Sequence, residues 1–236
     1  MGPYQKLHDR YEVQSRCSKP FREYLYRKLC QEKAVSILEV GCGTGAILNC
    51  ITREYTGKIH SLTGVDIDSE ALTFSKEKTK AQTIRNDGEN LCFANECFDL
   101  ICCHYLLMWV KEPVAVVSEM KRVLKTGGIC SAFAEPDYGA MTVSPYELKL
   151  LANRQKKMLE KKGADTEIGS RLSEIFLKAG FRSIVHEPYK EERMDPFSLQ
   201  MEIEQMKSDL DDTEVSIEID RKTAYSIKTY YAYAEK

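Results

Sequence analysis

Ile37-Leu-Glu-Val-Gly-Cys-Gly-Thr-Gly-Ala46 decides the fold of this 236-residue chain. An apolar run passes directly into glycines at alternate positions, Gly41, Gly43 and Gly45, and a helix-like segment follows. Glycine has no Cβ, so the backbone can turn sharply there and a ligand can lie against it. The helix beyond offers unpaired N–H groups to ligand oxygens. Such a turn builds a nucleotide-type cofactor site at the edge of an α/β sheet.

By spacing, Gly41-x-Gly43-x-x-Ala46 fits the dinucleotide fingerprint, with the acidic Asp66 about 20 residues further on. Asp66 ends a second apolar run, Ser61–Val65, where its carboxylate can grip two ribose hydroxyls. Glu39 discriminates between cofactors. Two residues before Gly41, its carboxylate repels a pyrophosphate but attracts an ammonium or sulfonium group. S-adenosylmethionine (SAM) carries both cations, a ribose and an adenine, and no phosphate. The charge pattern favours SAM over NAD.

Downstream, Asn86-Asp-Gly-Glu89 follows a short strand-like piece, and Asp87 suits the adenine amino group. Cys97–Cys103 reads as a fourth strand that delivers His104 and Tyr105 to its C-terminal end. Pro113–Leu124 has helical apolar spacing with proline near its first turn, and Gly127-Gly128 stops it before a fifth strand, Ile129–Ala134. With these landmarks in order, the chain resembles the class I SAM-dependent methyltransferases, the group acting on small molecules. Glu39–Gly45, Val65–Asp68, Asp87–Glu89, Phe98–Ile101 and Leu124–Gly128 carry the likeness, over roughly residues 20–190. The resemblance implies cofactor contacts from Glu39, Gly41, Cys42, Gly43, Asp66, Ile67, Asp87, Gly88 and His104. It also implies an antiparallel last strand beside the fifth, which dehydrogenase sheets lack.

Size and charge set bounds. The length suits one α/β domain with modest insertions. With 34 basic and 36 acidic side chains the net charge is −2, which gives no reason to expect a nucleic-acid partner. Arg154, Lys156, Lys157, Lys161 and Lys162 read as the solvated face of a helix. Nine cysteines, an odd number with no C-x-x-C pair, read as reduced, buried thiols and not as a metal or disulfide framework. No stretch resembles a signal peptide or a membrane span. The expectation is a soluble, cytoplasmic protein, monomer or homodimer, without metal.

The fold expected is a doubly wound, mostly parallel, Rossmann-like sheet of seven strands, with helices on both faces. It forms a single domain, 1–236, with three additions: an N-terminal helical cap (1–34), a lid insertion (138–163) and an acidic helical insertion (195–220). In the insertion, Leu199, Ile203, Met206 and Leu210 share a helical face, and the carboxylates are expected to keep the helix soluble. In the cap, Arg16 is a candidate for the SAM carboxylate and Tyr4 and Tyr11 for the acceptor side, an ordinary surface helix being the alternative.

Methyl transfer from a sulfonium is an in-line displacement, so the protein chiefly aligns the reactants and excludes water, and a general base is optional. Glu135 and Asp137, in Glu135-Pro-Asp-Tyr-Gly139, are the candidate catalytic carboxylates, with turn capping as the rival reading. His104 is a candidate base, adenine neighbour or plain hydrogen-bond partner. Tyr138 and Trp109 are candidates for the acceptor side, Trp109 alternatively for the core. The function expected is methyl transfer to a small molecule. RNA or protein methylation and non-catalytic SAM binding are the alternatives, although Cys103-His-Tyr-Leu-Leu lacks the Pro-Pro-aromatic motif of base-amine methyltransferases.

Overall fold

A computed structural model describes residues 2–29, 33–190, 194–212 and 216–236, so Cys30 lies outside the described residues. Its centre is β1 (Val35–Val40), buried at all six positions because neighbours cover both faces. β1 pairs in parallel with β2 (Ile59–Asp66) on one side and β4 (Phe98–Cys103) on the other. β3 (Gln82–Arg85) lies outside β2, β5 (Leu124–Ser144) follows β4, and β7 (Ala224–Glu235) lies between β5 and β6 (Ile184–Pro188). The seven-stranded order is therefore β3-β2-β1-β4-β5-β7-β6, with β7 antiparallel to both neighbours. The winding direction reverses between β1 and β4, and the crevice at such a switch point is where α/β sheets bind ligands.

Helices cover both faces. On one, α5 (Pro113–Val123) and α7 (Leu172–Lys178) bury Val117, Met120 and Phe176 against Leu38, Val40 and Ile101. On the other, α2 (Lys19–Lys28) and α3 (Ala46–Glu54) bury Phe21, Leu25, Ile47 and Ile51 against Ile37 and Leu100. Preceding α2 is α1 (Pro3–Gln14), and α4 (Ser69–Lys78) follows β2, with Asp68 capping its first turn through the N–H groups of Glu70 and Ala71.

One boundary differs from expectation. The fifth strand does not stop at Ala134 but runs 21 residues to Ser144, so the first part of the expected lid is strand. The reason is β7, whose outer half, Ala224–Ile227, pairs with Met141–Ser144 and extends the ribbon beyond the sheet. A 3-10 turn, Ile168–Arg171, leads into α7. At this turn Gly169 approaches the main chain so closely that a Cβ would lie 2.5 Å from the Glu135 carbonyl oxygen.

Along the extended ribbon pack α6 (Tyr146–Lys161) and α8 (Pro196–Leu210). Leu148, Leu151, Leu199, Ile203, Met206 and Tyr225 form one apolar cluster there. The helical face read from Leu199, Ile203 and Met206 is thus buried. The expectation that the carboxylates of this helix serve solubility fails for Glu202, which is buried in a salt bridge to Arg10.

Candidate active site

The turn after β1 holds Gly41, Gly43 and Gly45 at φ +74°, +48° and +81°, left-handed conformations that favour glycine. The N–H groups of Gly41 and Cys42 donate to the Val65 carbonyl at 2.8 and 3.0 Å, locking the turn onto β2. Gly43 N–H donates to Asp66 Oδ2 at 2.7 Å, and Asp68 N–H donates to Asp66 Oδ1 at 2.9 Å. Asp66 is therefore fixed in orientation beside the glycine turn. Cys42 is not a ligand contact of the kind expected. Its thiol faces β2, where a Cβ on Gly64 would lie 2.7 Å from the sulfur, and its N–H is already taken by Val65.

Glu39 ends buried at 2 % exposure, and its Oε2 has no hydrogen-bond partner. Burial, reinforced by the charge of Asp66, holds its carboxyl well above the usual range. An orphaned buried carboxyl at a ligand turn suits a cationic group. Gly88 supplies close approach, since a Cβ there would stand 3.0 Å from Val40. Ile67, beside Asp66, is 66 % exposed, and Asp87 is exposed in the loop after β3. Among the described residues no cluster of His, Cys, Asp and Glu forms a metal site.

α1 lies across this turn. The Tyr11 ring stands 3.7 Å from where a Gly43 Cβ would be. His8 Nδ1 lies 3.1 Å from Thr44 Oγ1, and the Tyr4 hydroxyl donates to Asp68 and Glu70 at 3.3 and 3.2 Å. Tyr4 and Tyr11 thus pack along α4 and the glycine turn and do not line the cavity. Arg16, expected at the cofactor carboxylate, is an exposed residue beyond the end of α1 and lines a separate cavity.

That cavity measures about 720 Å³ and lies between α1, α2, α8 and the outer parts of β5, β6 and β7. Phe21, Tyr24, Tyr105, Tyr138, Tyr189, Tyr225 and Tyr231 line it, with the Arg10–Glu202 pair in its wall. It adjoins the cofactor turn through consecutive residues: Tyr105 lines the cavity, while Leu106 packs on Gly41 so closely that a Cβ there would be 2.6 Å from Leu106 Cδ1. Tyr138 lies in the cavity wall. Tyr105 was placed at the end of the fourth strand without a site role, and Tyr225 and Glu202 escaped sequence reading; for Tyr225 the tyrosine-rich run after position 224 was the available signal.

Three catalytic expectations need correction. Glu135 is fully buried, and its carboxylate accepts the N–H groups of Leu106 and Leu107 at 2.9 Å and Met108 at 3.3 Å. Burial raises its pKa to about 7 against these stabilising bonds. It clamps the loop after β4 and does not line the cavity. Asp137 accepts the Gly139 N–H at 2.9 Å in an Asx turn, the rival reading, and is likewise absent from the cavity wall. His104 has an unpartnered Nε2, and burial drives its pKa down to about 3. Such an imidazole is neutral near pH 7 and too weak a base to take a proton there. Trp109 is neither core nor cavity wall: it is 47 % exposed on a 3-10 turn.

A glycine turn at the switch point, a buried orphan carboxyl, a fixed acid after β2 and an adjoining cavity together define a nucleoside-cofactor transferase. Residues 38–132 match the family model described as a methyltransferase domain. These residues form a methyltransferase domain, and the fold around it is shared with solved SAM-dependent methyltransferases. A demethylmenaquinone methyltransferase of Staphylococcus haemolyticus is 26 % identical over 183 residues, 70 % of this chain and 76 % of the relative. A phosphatidylethanolamine N-methyltransferase of Cereibacter sphaeroides is 35 % identical over 99 residues, 39 % and 46 % of the two chains. The fold matches a Haemonchus contortus phosphoethanolamine N-methyltransferase solved with S-adenosylhomocysteine (SAH), with a TM-score of 0.59, 18 % identity and coverage of 90 % and 51 %. The orphaned Glu39, the left-handed glycines and the oriented Asp66 fit SAM, which supplies an electrophilic methyl group and its own leaving group.

Proposed function

We propose that the chain methylates a small-molecule acceptor seated in the 720 Å³ cavity. The carrying observation is the step from Leu106 on Gly41 to Tyr105 in the cavity wall, which sets cofactor turn and acceptor space side by side. The volume lies in the range of small-ligand sites, about 300–1,000 Å³. The names of the two relatives, which concern a quinone and a lipid headgroup, support a small acceptor without identifying it here.

In this reading Glu39 takes the SAM ammonium, Asp66 the ribose hydroxyls, and Asp87, Gly88 and Ile67 the adenine side. Tyr11 and α1 cover the turn and keep water from the reacting groups. Alignment of nucleophile and methyl carbon is the main contribution, worth on the order of 7–11 kcal/mol in favourable cases.

Calorimetric titration with SAM and with SAH, on wild type and Asp66→Ala, tests the cofactor half. Micromolar binding lost in a folded Asp66→Ala variant is the expected result. Absence of binding by the wild type overturns the reading. SAH release with small acceptors, weakened by Tyr138→Ala, tests the cavity.

A further inference from the structure

Two faces of α1 serve two different places. Tyr4, His8 and Tyr11, at helical spacing, lie along α4 and the glycine turn, while Arg10, Val13 and Gln14 line the cavity. The Glu39 carboxyl is 2 % exposed, so an ammonium cannot reach it from solvent until something above the turn moves.

Two side chains lie on the turn itself, Leu106 on Gly41 and Tyr11 beside Gly43. They are held very differently. Glu135 fixes the main chain at Leu106, Leu107 and Met108, and Leu106 packs on the main apolar core. α1 buries a single residue, His8, and its other ties are side-chain bonds. A helix with so little buried apolar surface opens at much lower cost than the core.

Those ties differ in exposure. Tyr4 meets Asp68 and Glu70 in water, and the Glu12–Arg53 pair is 36 % and 60 % exposed, so both hold little. The Arg10–Glu202 fork is charge-assisted and largely out of water, and Gln14 Nε2 donates to the same carboxylate at 3.4 Å. Just beyond α1 the chain is anchored again. Arg22, 1 % exposed, donates to the Ser15 carbonyl at 2.7 Å and to both Glu54 oxygens.

Resting on the reading of the glycine turn as the SAM site, we propose that α1 is a gate pivoting at Ser15, and that the Arg10–Glu202 fork is its latch. SAM enters with the fork broken, and the fork re-forms once SAM is seated. Lifting α1 takes Arg10, Val13 and Gln14 out of the cavity wall, so the cavity is complete only with the gate shut. The latch closes the empty and the loaded protein alike. Breaking it therefore speeds entry and exit together and leaves the equilibrium affinity nearly unchanged.

Surface plasmon resonance of SAH on the immobilised full chain measures both rates. For the wild type, the observed association rate should level off with SAH concentration, at the rate of gate opening. Glu202→Gln keeps the size of the side chain and removes its charge. It should raise that plateau and the dissociation rate about tenfold each, the factor expected for one weakened charge-assisted bond, with Kd little altered. Hydrogen exchange should be faster in α1 of this variant and unaltered in β1 and β4, which separates an open gate from an unfolded chain.

A wild-type association rate that rises in proportion to concentration throughout overturns the gate, as do α1 amides protected as long as those of β1. Glu202→Gln rates equal to wild type, or a loss of affinity carried by dissociation alone, remove the fork as its latch. Failure of the wild type to bind SAH or SAM overturns the cofactor reading on which the gate rests, a result distinct from all the others.

Discussion

Arg10 and Glu202 lie 192 residues apart in the chain and meet through two charge-assisted hydrogen bonds, Nε to Oε1 at 3.2 Å and Nη2 to Oε2 at 3.0 Å. The pair fastens α1, which lies across the glycine turn, to α8, which forms part of the cavity wall. Both side chains are largely out of water, at 17 % and 5 % exposure. Removing one partner strands a buried charge, whereas removing both strands none.

Arg10→Met or Glu202→Met alone should therefore cost about 3 kcal/mol, the lower end of the range for buried pairs because Arg10 keeps some solvent contact. The double variant should recover much of that loss in urea unfolding. Additive losses would show that the fork does not couple the two helices.

Glu39 should show a trade between stability and binding. Its folded-state pKa is raised by burial, so its ionisation opposes folding, and stability falls as pH rises from the ordinary carboxylate range through the raised value. Glu39→Gln removes that cost and should raise the melting temperature of the ligand-free protein at neutral pH. If Glu39 takes the SAM ammonium as proposed, the same change deletes its counter-charge and should weaken binding roughly ten- to hundredfold. Thermal unfolding at several pH values and calorimetry measure the two effects separately.

Glu135 should act through the loop that it clamps. With a folded pKa of about 7 against an ordinary 4.5, its stabilising contribution is full below the ordinary value and is lost as pH rises through about 7. Glu135→Gln should flatten the stability profile across that window. Its amide cannot accept all three N–H groups of Leu106, Leu107 and Met108 in the same geometry, so Tyr105 loses its set position. The turnover number should fall about tenfold or more, a loss of the order expected from slight misalignment. A variant with wild-type kcat would show that the clamp serves stability alone.

The alternation of strands and helices and the glycine turn were legible because they rest on local signals, an apolar run into alternating glycines and then an acid after the next strand, whereas the antiparallel last strand came only from the resemblance. Glu39 was legible for the same reason, since strand position and charge both lie in one short motif. The acceptor side was not. Tyr105, Tyr225, Arg10 and Glu202 come from four distant stretches, and only the antiparallel β5–β7 ribbon and the packing of α8 bring them together. Glu135 and Asp137 stood at the right strand end, but β5 continued past them, and both oxygens of Glu135 went to main-chain donors. Position along a strand told where these carboxylates were; it did not tell what they faced.

The glycines of the turn should separate binding from folding. Gly43 and Gly45 both have positive φ, so an alanine at either costs roughly 1–2 kcal/mol in backbone strain. They differ in what a methyl group would meet. At Gly43 its nearest neighbours are Tyr11 at 3.7 Å and Asp66 Oδ2 at 3.9 Å, ordinary contacts on the cofactor side. At Gly45 it would fall 2.4 Å from Ser75 Oγ and 3.3 Å from Thr79 Cγ2, against the end of α4. Gly43→Ala should thus unfold only a little earlier than wild type yet lose SAM affinity, because the methyl occupies the surface that a ligand must approach. Gly45→Ala should lose distinctly more stability, because α3 and α4 must separate to admit it. Thermal unfolding without ligand ranks the two variants, and calorimetry on Gly43→Ala decides whether the turn's open face is where SAM lies.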